Sequence, residues 1–205
     1  MATHPQIRLL VAPAAVAVTL LSGTPATAAN AGAFPVTIHS APMTSSDAAA
    51  LPRGTAVKAA DVTQRVSLGG AVRAGLGDRG SLDGSVYPVI STDGGKRWRI
   101  DGPLFYRAAA DAPNVTNRLE ALGTDTLIAW GSGGNFVKTS TDRGAHWYAA
   151  NFPVGVYSAG VQATHLVVRA MGNPDRASRF PTRRYTSTDG GRVWHRGAQL
   201  GSVRY

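Results

Sequence analysis

The sequence predicts an all-β fold built from repeated units of about four strands. An eight-residue pattern recurs three times at near-constant spacing, short apolar and β-branched runs flank each copy, and no long segment after residue 28 has a helical period. Of the 205 residues, 43% are hydrophobic and 16% charged, which excludes a disordered chain and a polytopic membrane protein. The absence of cysteine excludes a disulfide scaffold, a thiolate metal site and a cysteine nucleophile.

The first 28 residues have the pattern of a secretory signal peptide. Arg8 precedes a 13-residue apolar run, residues 9–21, and Ala26-Thr-Ala28 fits the small-x-small cleavage rule. A membrane-spanning helix needs about 20 apolar residues, so cleavage is expected rather than a retained N-terminal anchor, which is the alternative. We therefore expect a secreted or extracytoplasmic protein with no membrane span after cleavage.

The repeated pattern is S-T-D-x-G-x-x-W, and its three copies, residues 91–98, 140–147 and 187–194, are called the first, second and third octets. Their starts are 49 and 47 residues apart. The aspartate is suited to accept backbone hydrogen bonds in a tight turn, the glycine to adopt a positive φ, and the tryptophan to bury its ring on the outgoing strand. The predicted structural residues are Ser91, Asp93, Gly95, Trp98, Ser140, Asp142, Gly144, Trp147, Ser187, Asp189, Gly191 and Trp194.

Strands are predicted on both sides of each octet and in the intervals between octets. Four strands and 47–49 residues per unit are typical of a β-propeller blade. The incoming strands are Tyr87–Ile90, Phe136–Thr139 and Arg184–Thr186, the outgoing strands are Arg97–Ile100, His146–Tyr148 and Val193–His195, and the intervals hold Thr126–Trp130, His165–Ala170 and the glycine-broken Val66–Val72.

The octets resemble the Asp-box, or BNR repeat, of sialidases, sortilin-type receptor ectodomains and many secreted bacterial proteins. The resemblance covers residues 64 to 200 and implies propeller blades with the box between a blade's third and fourth strands. Together with the signal-peptide pattern, it divides the chain into a signal peptide (1–28), an Ala/Ser/Pro-rich leader with one strand candidate, Phe34–His39 (29–63), and a three-repeat domain (64–205).

Three octets predict a partial or small propeller, because this family usually has roughly six to eight blades. An open arc exposes two strand edges, which favour pairing with another chain. A homodimer that closes six blades, or a protein partner across the open edges, is therefore one expectation. A monomer whose edges are protected by arginine and proline is the other.

The resemblance implies two functions. One is a non-catalytic module that binds or scaffolds at the cell envelope or outside the cell, with glycans as a candidate ligand. The alternative is a sialidase-like exoglycosidase, which needs a tyrosine nucleophile, an assisting glutamate and an arginine triad. Glu120 is the only glutamate and is expected in a solvated loop, while Arg179-Phe-Pro181 lies at the wrong end for the family's Arg-Ile-Pro motif. No catalytic, cofactor-binding or metal-binding residue is therefore predicted.

The charge favours acidic partners. Without Arg8 the chain has 20 basic and 12 acidic residues, a net charge of +8, and such a field attracts acidic polymers. Dispersed arginines without a nucleic-acid motif argue against specific nucleic-acid binding and leave a purely compositional origin open. A glycan or acidic envelope polymer is a candidate ligand, and the candidate binding loops are Asp78–Ser85, Phe105–Arg118 and Met171–Arg183, the last with Arg176, Arg179, Arg183 and Arg184 around Phe180. A solvated loop with no ligand is the alternative for this last stretch.

Overall fold

The computed structural model describes residues 34–44, 50–78, 80–82, 84–107 and 116–204, so the predicted signal peptide lies outside the described residues. Within these ranges the chain forms strands and two short 3₁₀ turns, Ala59–Asp61 and Gly80–Leu82, and no α-helix, which confirms the all-β prediction. The strands are β1 (Thr37–Pro42), β2 (Ala56–Val57), β3 (Val62–Ser67), β4 (Arg73–Gly77), β5 (Ser85–Ser91), β6 (Trp98–Ile100), β7 (Tyr106–Arg107), β8 (Arg118–Leu122), β9 (Thr126–Trp130), β10 (Phe136–Ser140), β11 (Tyr148–Asn151), β12 (Gly155–Gln162), β13 (His165–Met171), β14 (Arg179–Ser187) and β15 (Val193–Arg204).

Most strands belong to three antiparallel meanders of four strands each. The first meander is β3-β4-β5-β6, the second β8-β9-β10-β11 and the third β12-β13-β14-β15. In each meander an octet links the third strand to the fourth. Short connections explain the order, because a tight turn returns the chain beside the strand it has just left.

The second and third meanders are joined by β1 into one nine-stranded sheet. The first half of β1, Thr37–His39, pairs with β15, and its second half, Ser40–Pro42, pairs with β11. The sheet order is β12-β13-β14-β15-β1-β11-β10-β9-β8, and the sheet curls until its end strands β8 and β12 are in contact, which gives a nearly closed, barrel-like surface. The repeats alone predict separate four-stranded units. The structure has one nine-stranded sheet instead, because β1, which comes from the predicted leader, pairs with a strand of each unit.

The first meander forms a second sheet, in which β2 pairs with β6 and β7 pairs with β5. The sequence predicts a single strand over Val66–Val72, but the structure has a turn within this segment. Its first two residues end β3, the following residues form the turn, and β4 begins at Arg73. The glycines explain this, since Gly69 and Gly70 adopt φ values of 96° and 53° that suit a turn and not a strand.

Two apolar layers join the three meanders face to face. The layer between the first and second meanders contains Leu76, Phe105, Leu119 and Trp147, and the edge of Phe105 packs against the Trp147 ring with centroids 4.6 Å apart. The layer between the second and third meanders contains Ile128, Phe152, Val168, Tyr185 and Trp194. Burial of these side chains is the main force that holds the meanders together.

The first meander also has an apolar layer on the face that points away from the second meander. Val62, Val89, Trp98 and Ile100 are buried there under Val57 of β2 and Leu82 of the second 3₁₀ turn. A Cβ atom at Gly75 would lie 2.6 Å from Val62 and one at Gly77 would lie 2.8 Å from Leu82. The chain therefore covers this end of the molecule with its own residues.

Candidate functional site

The three octets fold into nearly identical turns. In each, the serine hydroxyl donates to the aspartate carboxylate at 2.7–2.8 Å and accepts a hydrogen bond from the glycine N–H at 2.8–2.9 Å. The aspartate accepts from backbone N–H groups three or four residues later, at 2.9–3.1 Å. The tryptophans are buried. These hydrogen bonds stay within the turn, so the predicted octet residues have structural partners.

The octet aspartates are stabilised in the ionised form. The Arg97 side chain and amide, together with the Ser91 hydroxyl, hold the pKa of Asp93 far below its usual value. Burial alone would raise the pKa of Asp142 and of Asp189, but the hydrogen bonds that each accepts outweigh it and lower the pKa. Carboxylates engaged in this way are not suited to accept a proton from a substrate near neutral pH.

The third octet differs from the other two because β1 lies beside it. Trp98 and Trp147 donate from Nε1 to the carbonyl of their own octet glycine, at 2.9 and 2.8 Å. Trp194 donates instead to the Ser40 hydroxyl at 3.3 Å, and that hydroxyl donates to the Gly191 carbonyl. A residue of the predicted leader thus completes the third turn.

The candidate loops leave the sheets at the strand ends opposite the octets. Successive strands of a meander run in opposite directions, so the connections between second and third strands, and those between one meander and the next, cannot lie at the strand ends that carry the octets. Asp78–Ser85 is such a connection, of which residues 79 and 83 lie outside the described residues, as do residues 108–115 of the loop Phe105–Arg118. The predicted loop Met171–Arg183 is shorter than expected, because β14 begins at Arg179.

The sequence predicts Glu120 in a solvated loop, but the structure places it within β8. Its Oε2 accepts a hydrogen bond from the Val161 N–H of β12 at 2.9 Å, and the carboxylate occupies the space beside Gly160. It contributes to a depression of about 250 Å³ whose described lining contains one arginine, Arg169, and no tyrosine. The tyrosine and arginine triad that the exoglycosidase alternative needs are not brought together there.

Arginines are concentrated at the end of the chain, where residues 172–205 contain seven arginines and two aspartates. Four of the seven have partners among the described residues. Arg179 pairs with Asp175 at 3.0 Å, Arg183 and Arg192 stack on Phe34 and Tyr148, and Arg196 donates to the Phe34 carbonyl at 2.6 Å. Arg176, Arg184 and Arg204 form no ion pair within the described ranges, and neither does Arg169 of β13.

Arg169 and Arg184 are direct cross-strand neighbours on β13 and β14. Val168 and Tyr185 on the same strands point into the core, so the two arginines point to the opposite side. We call this side the outer face of the third meander; it is defined by Ser158, Val167, Arg169, Arg184, Thr186 and His195. Nε of Arg184 is buried and has no hydrogen-bond partner.

No family model, curated protein or solved structure matches this chain. Within the described ranges, no group of three or more histidine, aspartate or glutamate side chains is placed to hold a metal ion. The same ranges contain no apolar helix of membrane-spanning length.

Proposed function

We propose that this protein is a secreted, non-catalytic binding module of the Asp-box β-propeller type, whose ligand is an acidic polysaccharide of the cell envelope or its surroundings. The observation that carries the binding role is the set of arginines without ion pairs on the third meander: Arg169, Arg176, Arg184 and Arg204. Secretion rests on the pattern of residues 1–28, which lie outside the described residues.

The propeller assignment is supported by how the meanders pack. Each has four antiparallel strands with an octet between its third and fourth strands. Neighbouring meanders pack face to face through apolar layers, and their first strands are adjacent, since β8 contacts both β3 and β12. Radial packing of four-stranded sheets by their faces is the arrangement of propeller blades.

Charge supports an acidic ligand. An arginine without a carboxylate partner keeps its donors free, and a guanidinium binds carboxylate, sulfate or phosphate groups with two parallel hydrogen bonds. Several such groups on one meander create a local positive field that attracts a polyanion along its length. A polysaccharide that carries regularly spaced acidic groups fits this distribution.

The test is binding of the purified protein to polygalacturonate and dextran sulfate, with neutral dextran as the reference polymer. We expect both polyanions to bind in 150 mM salt, neutral dextran not to bind, and affinity to fall at least about tenfold between 50 and 500 mM salt because the contacts are exposed to screening. Isothermal titration calorimetry measures all three.

Two matched quadruple variants distinguish the effect of the arginines on the third meander from the effect of the protein's overall charge. One replaces Arg169, Arg176, Arg184 and Arg204 by glutamine; the other does the same to Lys58, Lys96, Arg99 and Arg118, which are exposed and lie on other elements. Both remove four positive charges. The first should abolish measurable binding at 150 mM salt and the second should weaken it only severalfold. Equal losses, or no polyanion binding by the unchanged protein, would contradict the proposed function.

A further inference from the structure

The two ends of the row of meanders are unlike. At one end, the first meander buries an apolar layer under its own β2 and second 3₁₀ turn. At the other end, the outer face of the third meander has no such layer: its central residues are Ser158, Arg169, Arg184, Thr186 and His195, with Val167 as the apolar exception. Nothing in the described chain covers the two arginines in the way Leu82 and Val57 cover the first meander.

The arrangement of Arg169 and Arg184 has a cost in the free protein. Like charges directly opposite each other on neighbouring strands destabilise a sheet. The Arg184 Nε–H is removed from water without an acceptor, which adds a desolvation penalty. An anion placed between the two guanidinium groups would remove the repulsion between them, because its negative charge would neutralise their positive charges.

The depression beside this pair has the groups that a sugar ring needs. It is lined by Ser158, Gln162, Arg169 and the Glu120 carboxylate. Glu120 Oε2 is held by the Val161 N–H, so the carboxylate is a fixed acceptor for hydroxyl groups at the far side of β12. A bulge between Val156 and Ser158 interrupts the pairing of β12 with β13 next to Ser158.

A second copy of the chain does not suit this face. Two copies that met through it would bring Arg169 and Arg184 against the same two arginines, and the capped face of the first meander offers no open strand surface in exchange. Single-stranded DNA would offer phosphates to the arginines, but its chain carries no free sugar hydroxyls from which the Glu120 carboxylate could accept. An acidic sugar chain, which carries hydroxyls and carboxylates on the same ring, is complementary to both charges.

We propose that the outer face of the third meander is a binding site for one acidic sugar unit of a polysaccharide, with Arg169 and Arg184 on its carboxylate and the Glu120–Ser158 depression on its hydroxyls. This inference rests on the proposed function and adds a defined subsite to it. The other arginines of the third meander, Arg176 and Arg204, then act only through the general field.

The experiment divides the quadruple variant into two doubles of equal charge. Arg169→Gln/Arg184→Gln removes the site, and Arg176→Gln/Arg204→Gln is the matched control on the same meander. For polygalacturonate in 150 mM salt we expect Kd to rise at least about tenfold in the first and no more than about twofold in the second. Thermal unfolding and circular dichroism establish that both variants are folded.

A third variant, Arg169→Lys/Arg184→Lys, keeps the charge and removes the planar fork that binds a carboxylate with two hydrogen bonds. It should also lose affinity, by about fivefold or more, whereas a purely electrostatic surface would bind unchanged. Dextran sulfate serves as the second probe. In Glu120→Gln/Ser158→Ala, the affinity for polygalacturonate should fall more than the affinity for dextran sulfate.

The outcomes are distinguishable. Equal weakening in the two glutamine doubles would overturn the subsite and leave the proposed function standing. Absence of any polyanion binding by the unchanged protein would overturn both. A dimer in sedimentation velocity that Arg169→Gln/Arg184→Gln dissociates would assign the face to a second copy, and preference for single-stranded DNA over polygalacturonate would assign it to nucleic acid; either result would overturn the subsite.

Discussion

Replacing Trp147 by alanine is expected to lower the free energy of unfolding by about 3–5 kcal/mol, the usual cost of removing a large aromatic side chain from a core. Trp147 is 2% exposed and lies in the layer between the first and second meanders. Phe105 packs edge-on against it, and Gly102 lies so close that a Cβ there would be 2.7 Å from the indole ring. The variant leaves a cavity that these rigid neighbours cannot fill.

Chemical and thermal unfolding measure this effect, which should appear as a fall in Tm of roughly 10 °C in a domain of this size. Tyr157→Ala is the control, because that ring is 41% exposed and its removal should change stability by no more than about 0.5 kcal/mol. A loss below about 1 kcal/mol in Trp147→Ala would show that the octet tryptophan does not join the two meanders.

Replacing Gly191 by alanine is expected to cost about 2–5 kcal/mol, from two separate sources. Gly191 has a φ of 89°, a region that disfavours side chains by about 1–2 kcal/mol. An added Cβ would also lie 2.4 Å from the Thr139 side chain on β10, and such overpacking costs about 1–3 kcal/mol. The substitution therefore tests whether the third octet packs on the second meander.

Gly94→Ala separates the two sources, because Gly94 has a φ of 76° but no atom within 4 Å of an added Cβ. It should cost about 1 kcal/mol, in line with Arg143, which adopts a φ of 64° at the equivalent position of the second octet. Urea unfolding of the two variants side by side measures the difference. Equal losses would mean that the contact between Gly191 and Thr139 does not form in solution.

Much of the local structure could be predicted from the sequence because it depends on local chemistry. The octets have the turn residues that their hydrogen bonds require, and each octet forms a turn between two paired strands, although β11 begins at Tyr148, one residue after Trp147. Thr126–Trp130 coincides with β9, and His165–Ala170 lies within β13. Short apolar runs rich in β-branched and aromatic residues indicate these strands whatever their neighbours are.

The long-range pairing could not be predicted in the same way. Nothing in residues 37–42 indicates that half of this strand pairs with β15 and half with β11. Glu120 was expected in a loop because its neighbours lack a strong strand pattern, but pairing with β9 places it in β8. Residue patterns near each strand report local preference, and the partner of an edge is chosen by tertiary packing.

The candidate site, too, could be predicted from the sequence only in its local features. The basic character of Met171–Arg183 is visible in the sequence, but the pairing of Arg169 with Arg184 depends on the register between β13 and β14. A shift of one residue would turn Arg184 toward the core and Tyr185 outward. The cap over the first meander is equally hidden, since Val57 and Leu82 belong to short segments with no strand-like pattern of their own.

Hydrogen–deuterium exchange with and without tetragalacturonic acid reports where on the protein the ligand binds. We expect slower exchange in β12, β13 and β14, around Ser158, Arg169 and Arg184, with no change in the octets or in the capped first meander. Protection confined to the loops opposite the octets, or spread evenly over all arginine-bearing segments, would contradict a site on the outer face of the third meander.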